Sequence, residues 1–285
     1  MVKKIICNVR HFSDKCKQDK INAYSAQTAF FIILSAIPFL MVFFSLLRYT
    51  AITEGIILNI ITRLMPEYIA PFLVSVIDEV YHRSTGIISV TAVAAVWSAS
   101  KGIHCMTDGL NAANGLEETR NWFVLRFWAI IYTVVFLVAI VFVLAALVFG
   151  NSLHALAAEN LPFLAEISEL LNHFRGLLML AILTLFFDIV FKALPNRKLS
   201  LKSQLPGACI CSVAWYVFSF GLSVYVDYFN GFSMYGSLTT IVLVMLWVYF
   251  CMYIMMLSVE VNVVFNRQIK EFVRRHQKGA ERTDS

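Results

Sequence analysis

The sequence predicts an all-α protein, a polytopic membrane helical bundle with six transmembrane helices plus amphipathic interfacial helices. Three observations predict this class. Of the 285 residues, 59% are hydrophobic and 14% are charged, whereas a soluble domain carries about 25% charged residues. Several nearly uncharged runs reach the roughly 20 residues that cross a bilayer as a helix. Most lysines and arginines lie on one side of these runs, as the positive-inside rule predicts for a membrane protein.

The apolar runs define six predicted spans. The last run is the clearest, because it has no charged residue from Ser237 to Leu257 and is apolar on every side, unlike a one-faced surface helix. The spans cover residues 26–47, 85–110, 126–150, 176–194, 205–228 and 237–262. We expect them to form one domain, residues 1–266, followed by a basic cytoplasmic tail, residues 267–285.

Amphipathic segments are predicted outside the spans. Residues 1–20 carry apolar side chains at helical spacing, with Lys15 and Lys17 elsewhere around the helix, a pattern typical of a helix in the membrane interface. Residues 53–84 contain two one-faced apolar stripes and predict two short helices on the membrane surface or capping the bundle. Residues 151–175 predict a second connector of this kind.

The positive charges predict the orientation of the chain. An even number of spans places both termini on one side. Of the 23 lysines and arginines, eighteen fall on the side of the termini and four on the other, with Lys101 inside a span. We therefore expect both termini in the cytoplasm. Basic residues beside apolar runs favour anionic lipid headgroups as partners and do not favour nucleic acid.

Polar residues inside the predicted spans are the candidate functional groups, because a charge at mid-helix costs about 2.5–3.5 kcal/mol and usually faces protein or water. Lys101, His104 and Asp108 share one helix face by their spacing. Asp188 and Lys192 form an i, i+4 pair. The predicted polar cavity comprises Lys101, His104, Asp108, Asp188, Lys192, Glu260 and Asn262.

Two interpretations of this set stay open. In the first, it lines a hydrated cavity that opens to the cytoplasm and binds a polar or charged solute or a lipid headgroup. In the second, the lysines snorkel and the acids pair with them only to fix helix packing. The first interpretation predicts that Lys101, Asp108, Asp188 and Glu260 converge in one site.

Patterns of catalysis and metal binding are not present in the sequence. The six histidines are scattered, without an HxH or HExxH pattern, and the six cysteines form no CxxC pair. Such patterns mark metal and redox sites. We expect no catalytic residue, no metal and no cofactor, and free cysteines that act as small apolar side chains.

Four stretches carry a family resemblance. They are AYSAQTAFFIILSAIPFL at 23–40, WSASKG at 97–102, ALP at 193–195 followed by LPGA at 205–208, and YGSLTTIVLVMLW with VEVN between 235 and 262. With these stretches the chain resembles the YihY/BrkB family of bacterial inner-membrane proteins, formerly labelled ribonuclease BN-like. The resemblance implies a six-helix protein of the bacterial inner membrane. The family's virulence-factor name suggests an envelope-related role, and no settled reaction follows from it.

The function expected from the sequence is that of a transport or lipid-handling membrane protein acting on an unknown solute or lipid. A non-transporting membrane scaffold or regulatory protein is the alternative. Ribonuclease activity is disfavoured, because an acid–base pair or a metal cluster would have to be assembled from isolated residues. The sequence sets neither the substrate nor the oligomeric state.

Overall fold

A computed structural model describes residues 10, 12–48, 54–64, 70–82, 85–135, 175–197, 199–228 and 237–283. These residues form α-helices and no strand, which confirms the all-α class. In chain order the helices are α1 (residues 12–18), α2 (Ile21–Arg48), α3 (Glu54–Leu64), α4 (Ala70–His82), α5 (Thr85–Ala113), α6 (Trp122–Val135), α7 (Arg175–Ala193), α8 (Leu201–Tyr228) and α9 (Ser237–Thr283).

Three of the described helices are long and apolar enough to cross a membrane. Their apolar runs are Ile21–Ser45 in α2, Leu201–Val226 in α8 and Ile241–Val264 in α9. These runs coincide with the first, fifth and sixth predicted spans. Helices α5 and α7 occupy the second and fourth positions, and α6 covers the start of the third, whose residues 136–150 lie outside the described residues. The count of six spans stays a prediction.

Several helices extend beyond the predicted spans, whose own limits stay predictions. Helix α2 begins at Ile21 instead of residue 26, directly after Lys20, whose φ of 53° turns the chain between α1 and α2. Helix α8 begins at Leu201 instead of residue 205, so Pro206 lies inside it. Helix α9 continues to Thr283 and includes most of the predicted tail.

The two short helices predicted within residues 53–84 are confirmed as α3 and α4. Their apolar stripes face each other and the end of α2, because Ile57, Ile77 and Val80 are buried in one cluster with Phe44. Their position relative to the membrane stays a prediction. The second connector was predicted at residues 151–175. It lies outside the described residues, except for Arg175, with which α7 begins.

Helix α9 lies at the centre of the main core, in contact with α2, α5 and α8, while α7 packs on α8 and α2 packs on α5. Gly207 allows the close approach of α8 to α9. A Cβ atom at this position would lie 2.9 Å from the carbonyl oxygen of Ser258 and 2.8 Å from Cβ of Asn262. This approach brings the first turns of α8 against the end of the apolar run of α9.

The outward faces of the long helices are apolar. In α8, Val213, Val217 and Phe220 are exposed, with Val217 61% accessible. Contiguous exposed apolar surface of this kind is rare in soluble monomers and marks contact with lipid or protein. The exposed faces therefore fit a bundle surrounded by membrane.

Candidate functional site

Polar side chains gather at two places: where α1 and the last turn of α5 meet α9, and where the loop after α5 meets the end of α7 and the start of α8. The structure gives three members of the predicted cavity, Lys101, Glu260 and Asn262, partners from outside the predicted set. Two sites result, and each includes a residue that the sequence singled out.

The first site surrounds Glu260, whose side chain is 0% exposed. Lys15 of α1 donates a hydrogen bond to Oε2 of Glu260. The same ammonium lies 3.1 Å from Oδ2 of Asp19 and donates to the carbonyl oxygen of Ala113 at 3.2 Å. We call Lys15, Asp19, Glu260 and the Ala113 carbonyl the Lys15 cluster. It ties the N-terminal helix to α5 and α9.

In the Lys15 cluster Glu260 is completely buried, while the side chains of Lys15 and Asp19 are 21% and 20% exposed. Two carboxylates share one ammonium, and Oε1 of Glu260 is buried without a hydrogen-bond partner among the described residues. Burial raises the pKa of the neighbouring Cys16 thiol to about 11, and the negative charge of Glu260 adds to this increase. The Cys16 side chain is therefore a neutral thiol at neutral pH.

The second site begins where α5 ends. Gly115 adopts a φ of 64° and directs the chain into a loop, while the amide of Leu116 bonds the Asn111 carbonyl at 2.9 Å. In this loop, Arg120 donates to both oxygens of Glu118 at 2.8 and 2.7 Å. A glycine in the left-handed conformation just after a helix commonly allows the last carbonyl groups of the helix to accept hydrogen bonds.

The loop is fastened to the end of α7. Arg120 donates to the Leu194 carbonyl at 3.2 Å, and the Asn196 amide donates to Oδ1 of Asn111 at 2.8 Å. Asn111 in turn donates to Glu118 at 2.7 Å. We call Asn111, Glu118, Arg120, Leu194 and Asn196 the loop network. It fixes the geometry of two chain segments that are distant in sequence.

Charge-assisted hydrogen bonds dominate the loop network. The bonds from Arg120 hold the pKa of Glu118 below its usual range. The same bonds raise the pKa of Arg120, against the opposing effect of burial. Both groups are therefore charged at neutral pH, and the guanidinium is held in one place.

A pocket of about 730 Å³ lies beside the loop network. Its cationic side chains are Arg120, Lys192 and Arg197. The rest of its wall is mainly apolar and consists of Ile189, Ala193, Pro195, Asn196, Leu199 and Leu201. We call it the basic pocket.

The basic pocket has an excess of positive charge. Lys192 and Arg197 are exposed, and neither forms an ion pair within 4 Å with another described residue. The charge of Arg120 is compensated by Glu118 at 2.7 Å. Of the predicted cavity residues, Lys192 lines this pocket, together with Arg197.

The other predicted members are distributed along the bundle. Lys101 is exposed, with Nζ 4.7 Å from the centre of the Phe31 ring. Nε2 of His104 lies 3.7 Å from Oδ2 of Asp108, which is the only ion pair that the described residues form within the predicted set. Asp188 is buried, at 4% exposure, and its Oδ1 has no hydrogen-bond partner among the described residues.

Asn262 connects α9 to α8. Its Nδ2 donates to Oε1 of Gln204 at 2.7 Å, and both side chains are buried. The close approach at Gly207 explains this contact. None of the distances above joins Lys101, Asp108, Asp188 and Glu260 to one another. Their convergence in one site stays a prediction.

Sequence reasoning missed the partners of the predicted residues. It placed Lys15 on an interfacial helix, away from the apolar stripe, and gave it no partner within the protein, whereas its ammonium contacts Glu260. The i, i+4 spacing of Lys15 and Asp19 beside the apolar Cys16 is the signal that could have indicated a protein-facing side. Arg120, Asn196 and Arg197 were counted only as loop residues.

These features define a class: a helical membrane protein with one charge-paired and one open polar site at one end of its bundle. The chain belongs to the family described as "Virulence factor BrkB", whose sequence pattern matches residues 12–284. The resemblance found in the sequence is thereby confirmed.

Individual relatives support this assignment. The chain is 30% identical over 252 residues to the ribonuclease-like protein YfkH of Bacillus subtilis, covering 86% of this chain and 90% of that protein. It is 24% identical over 262 residues to a UPF0761 membrane protein of Alteromonas mediterranea, covering 87% and 84%. A UPF0761 membrane protein of Pseudoalteromonas atlantica is 24% identical over 290 residues, covering 92% and 88%. No solved structure matches the chain.

Proposed function

We propose that this protein is a multi-pass inner-membrane protein that transports or handles a lipid or polar solute through the basic pocket. In the predicted orientation, the loop between α5 and α6 and the turn between α7 and α8 face the cytoplasm, and so does the pocket. Both termini lie on the same side. Its function concerns the bacterial envelope.

The observation that carries this proposal is the basic pocket itself. Its volume of about 730 Å³ falls within the roughly 300–1,000 Å³ of typical ligand sites. Its wall combines apolar side chains with few cations, and the loop network holds the Arg120 side of it in place. Because one wall of the pocket is held in place and its exposed cations form no ion pair, the pocket is suited to binding an anionic ligand. Helix packing does not require such a pocket.

Blocking the pocket tests the proposal. Ile189 lines it on α7 and is 52% exposed, whereas Ile182 on the same helix is 59% exposed and lies outside the pocket lining. The wild type, Ile189→Trp and Ile182→Trp would be extracted in native lipid with a membrane-solubilising polymer, and retained molecules identified by mass spectrometry. We expect a retained molecule in the wild type and Ile182→Trp that Ile189→Trp lacks. Identical inventories in all three proteins would contradict the proposal.

The proposed orientation has a separate test. Reporter fusions at Ser285 and Asn230 should report opposite sides of the membrane, because the predicted topology places the first in the cytoplasm and the second outside. Fusions that report the same side would refute the six-span arrangement and the placement of the pocket.

A membrane scaffold is the second candidate function. The loop network and the Lys15 cluster favour it, because both fasten distant segments with compensated charges. A scaffold predicts that Ile189→Trp leaves cellular function intact while substitutions in the loop network abolish it. The transport or lipid-handling proposal predicts loss of function from Ile189→Trp at unchanged expression.

We do not propose RNA cleavage, although one relative is named ribonuclease-like. His104 and Asp108 are the nearest approach to an acid–base pair in the predicted set, and they lie on the face of a predicted span. Purified protein incubated with RNA and a divalent cation should show no cleavage above that of a His104→Ala variant. Cleavage that His104→Ala removes would support the nuclease instead.

A further inference from the structure

We infer that the basic pocket binds the phosphate group of an anionic membrane lipid. This inference rests on the proposed function and names the ligand class of the same site. It is argued from the charges in the pocket, from the acids around it and from the apolar surface that leads to it.

The charges favour a phosphate group. Lys192 and Arg197 have no acidic partner within 4 Å among the described residues, so both are available to an anion. Arg120 adds a third positive group, held in place by Glu118 and the Leu194 carbonyl. Lysine and arginine side chains that converge in this way suit the several acceptor oxygens of a phosphate.

The neighbouring acids do not cancel this charge. Glu118 is engaged by Arg120 and Asn111. Asp188 lies one turn before Lys192 on α7 and interacts with it electrostatically, but the two form no ion pair within 4 Å. The pocket therefore keeps at least the positive charge of Arg197 beyond what Glu118 and Asp188 can offset.

The surface beside the pocket indicates that the phosphate belongs to a lipid. Ile182, Leu185 and Ile189 are exposed on α7, and their spacing places them along one helix face. Lys192 follows Ile189 by three residues and continues that face into the pocket. An apolar stripe that ends at a cation matches a lipid with its chain along α7 and its headgroup at Lys192, as expected for basic pockets on the cytoplasmic side.

Binding of defined lipids tests the inference. Detergent-purified full-length protein would be titrated with phosphatidylglycerol, phosphatidylcholine or inorganic phosphate, and complexes counted by native mass spectrometry. The variant is Lys192→Gln/Arg197→Gln, and the control is Lys17→Gln, which removes an exposed cation on α1 outside the pocket lining.

We expect the wild type and Lys17→Gln to bind phosphatidylglycerol about tenfold or more tightly than phosphatidylcholine, since the exposed cations of the pocket attract an anionic headgroup. The double variant should lose this preference. Equal binding of the two lipids by the wild type, or an unchanged preference in the double variant, would overturn the inference.

Two further comparisons distinguish a lipid from a free phosphate, and this inference from the proposed function. Inorganic phosphate that binds as tightly as phosphatidylglycerol and displaces it would overturn the lipid source in favour of a free phosphate. If the wild type shows no preference for the anionic lipid while Ile189→Trp still loses its retained molecule, this inference fails and the proposed function stands. If Ile189→Trp also changes nothing, both fail.

Discussion

The Lys15 cluster and the basic pocket both lie against the end of α5 and the loop that follows it. Charges are paired in the first and largely unpaired in the second. In the Lys15 cluster, two carboxylates contact one ammonium, and Glu260 is withdrawn completely from solvent. In the basic pocket, Lys192 and Arg197 are exposed and have no acid within 4 Å among the described residues.

This difference separates stability from binding. A buried charge that loses its partner is left uncompensated at a high free-energy cost, so the Lys15 cluster has to remain intact for the fold to persist. Exposed cations without partners contribute little to folding and remain available to a ligand. Removal of a positive charge should therefore lower the free energy of unfolding much more in the Lys15 cluster than in the basic pocket.

The largest effect is expected when the Lys15 cluster is broken. Lys15→Met should lower the free energy of unfolding by about 3–5 kcal/mol, because it leaves the buried Glu260 without its cation. Lys17→Met, an exposed position on the same helix, should change it by less than about 0.5 kcal/mol. Unfolding in mixed micelles with increasing denaturing detergent measures both.

Adding Glu260→Leu to Lys15→Met sharpens this prediction. Apolar replacement of both partners should recover part of the loss, since no carboxylate of α9 is then left uncompensated. Equal stability of Lys15→Met and Lys17→Met would show that the cluster does not hold α1 to the bundle.

A smaller effect is expected where α8 approaches α9. Gly207→Ala would place a methyl group 2.9 Å from the Ser258 carbonyl oxygen, whereas the methyl group of Gly102→Ala would lie 3.5 Å from the nearest atoms of Ile32 and Phe31. Overpacking of this kind costs about 1–3 kcal/mol, so Gly207→Ala should lower the melting temperature and Gly102→Ala should leave it nearly unchanged. The reverse order would show that the helices approach each other elsewhere.

The loop network predicts a modest dependence on pH. The pKa of Glu118 is lowered in the folded state by the hydrogen bonds from Arg120. Its stabilisation is therefore complete above the ordinary glutamate pKa of about 4.3 and is lost as the pH falls through the lowered folded-state value. The stability advantage of the wild type over Glu118→Gln, about 1 kcal/mol at neutral pH, should shrink below about pH 4. An advantage that does not shrink as the pH is lowered through this acidic range would contradict the ion pair.

The smallest effect on stability is expected in the open pocket. Lys192→Gln/Arg197→Gln should change the free energy of unfolding by less than about 0.5 kcal/mol per site, because neither cation pairs with a described acid. A loss as large as that of Lys15→Met would show that these cations are structural and would remove the contrast between the two regions.

Much of the fold could be predicted from the sequence, because hydrophobic length and periodicity are local properties. The uncharged run ending near Leu257 indicated α9, and the stripes of residues 53–84 indicated α3 and α4. The start of α2 at Ile21 was missed, since Lys20 turns the chain without a glycine or proline to mark the boundary.

The candidate site was predictable only in part. Glu260 and Lys192 stood out because charges beside apolar runs are rare. The contacts around the site could not be predicted, because they join residues that are far apart in the sequence. Lys15 and Glu260 are separated by 245 positions, and Asn196 and Asn111 by 85. Spacing within one helix predicts which side chains share a face, and it carries no information about which helix packs against that face.

One measurement tests the separation of the two regions most directly: the increase in melting temperature that phosphatidylglycerol causes in detergent-purified protein. A ligand that binds the folded state raises its stability by mass action. We predict that the wild type and Lys15→Met show the same increase from different starting temperatures, while Lys192→Gln/Arg197→Gln starts at the wild-type temperature and shows none. An increase that persists in the double variant and disappears in Lys15→Met would contradict the assignment of stability to the Lys15 cluster and of binding to the open pocket.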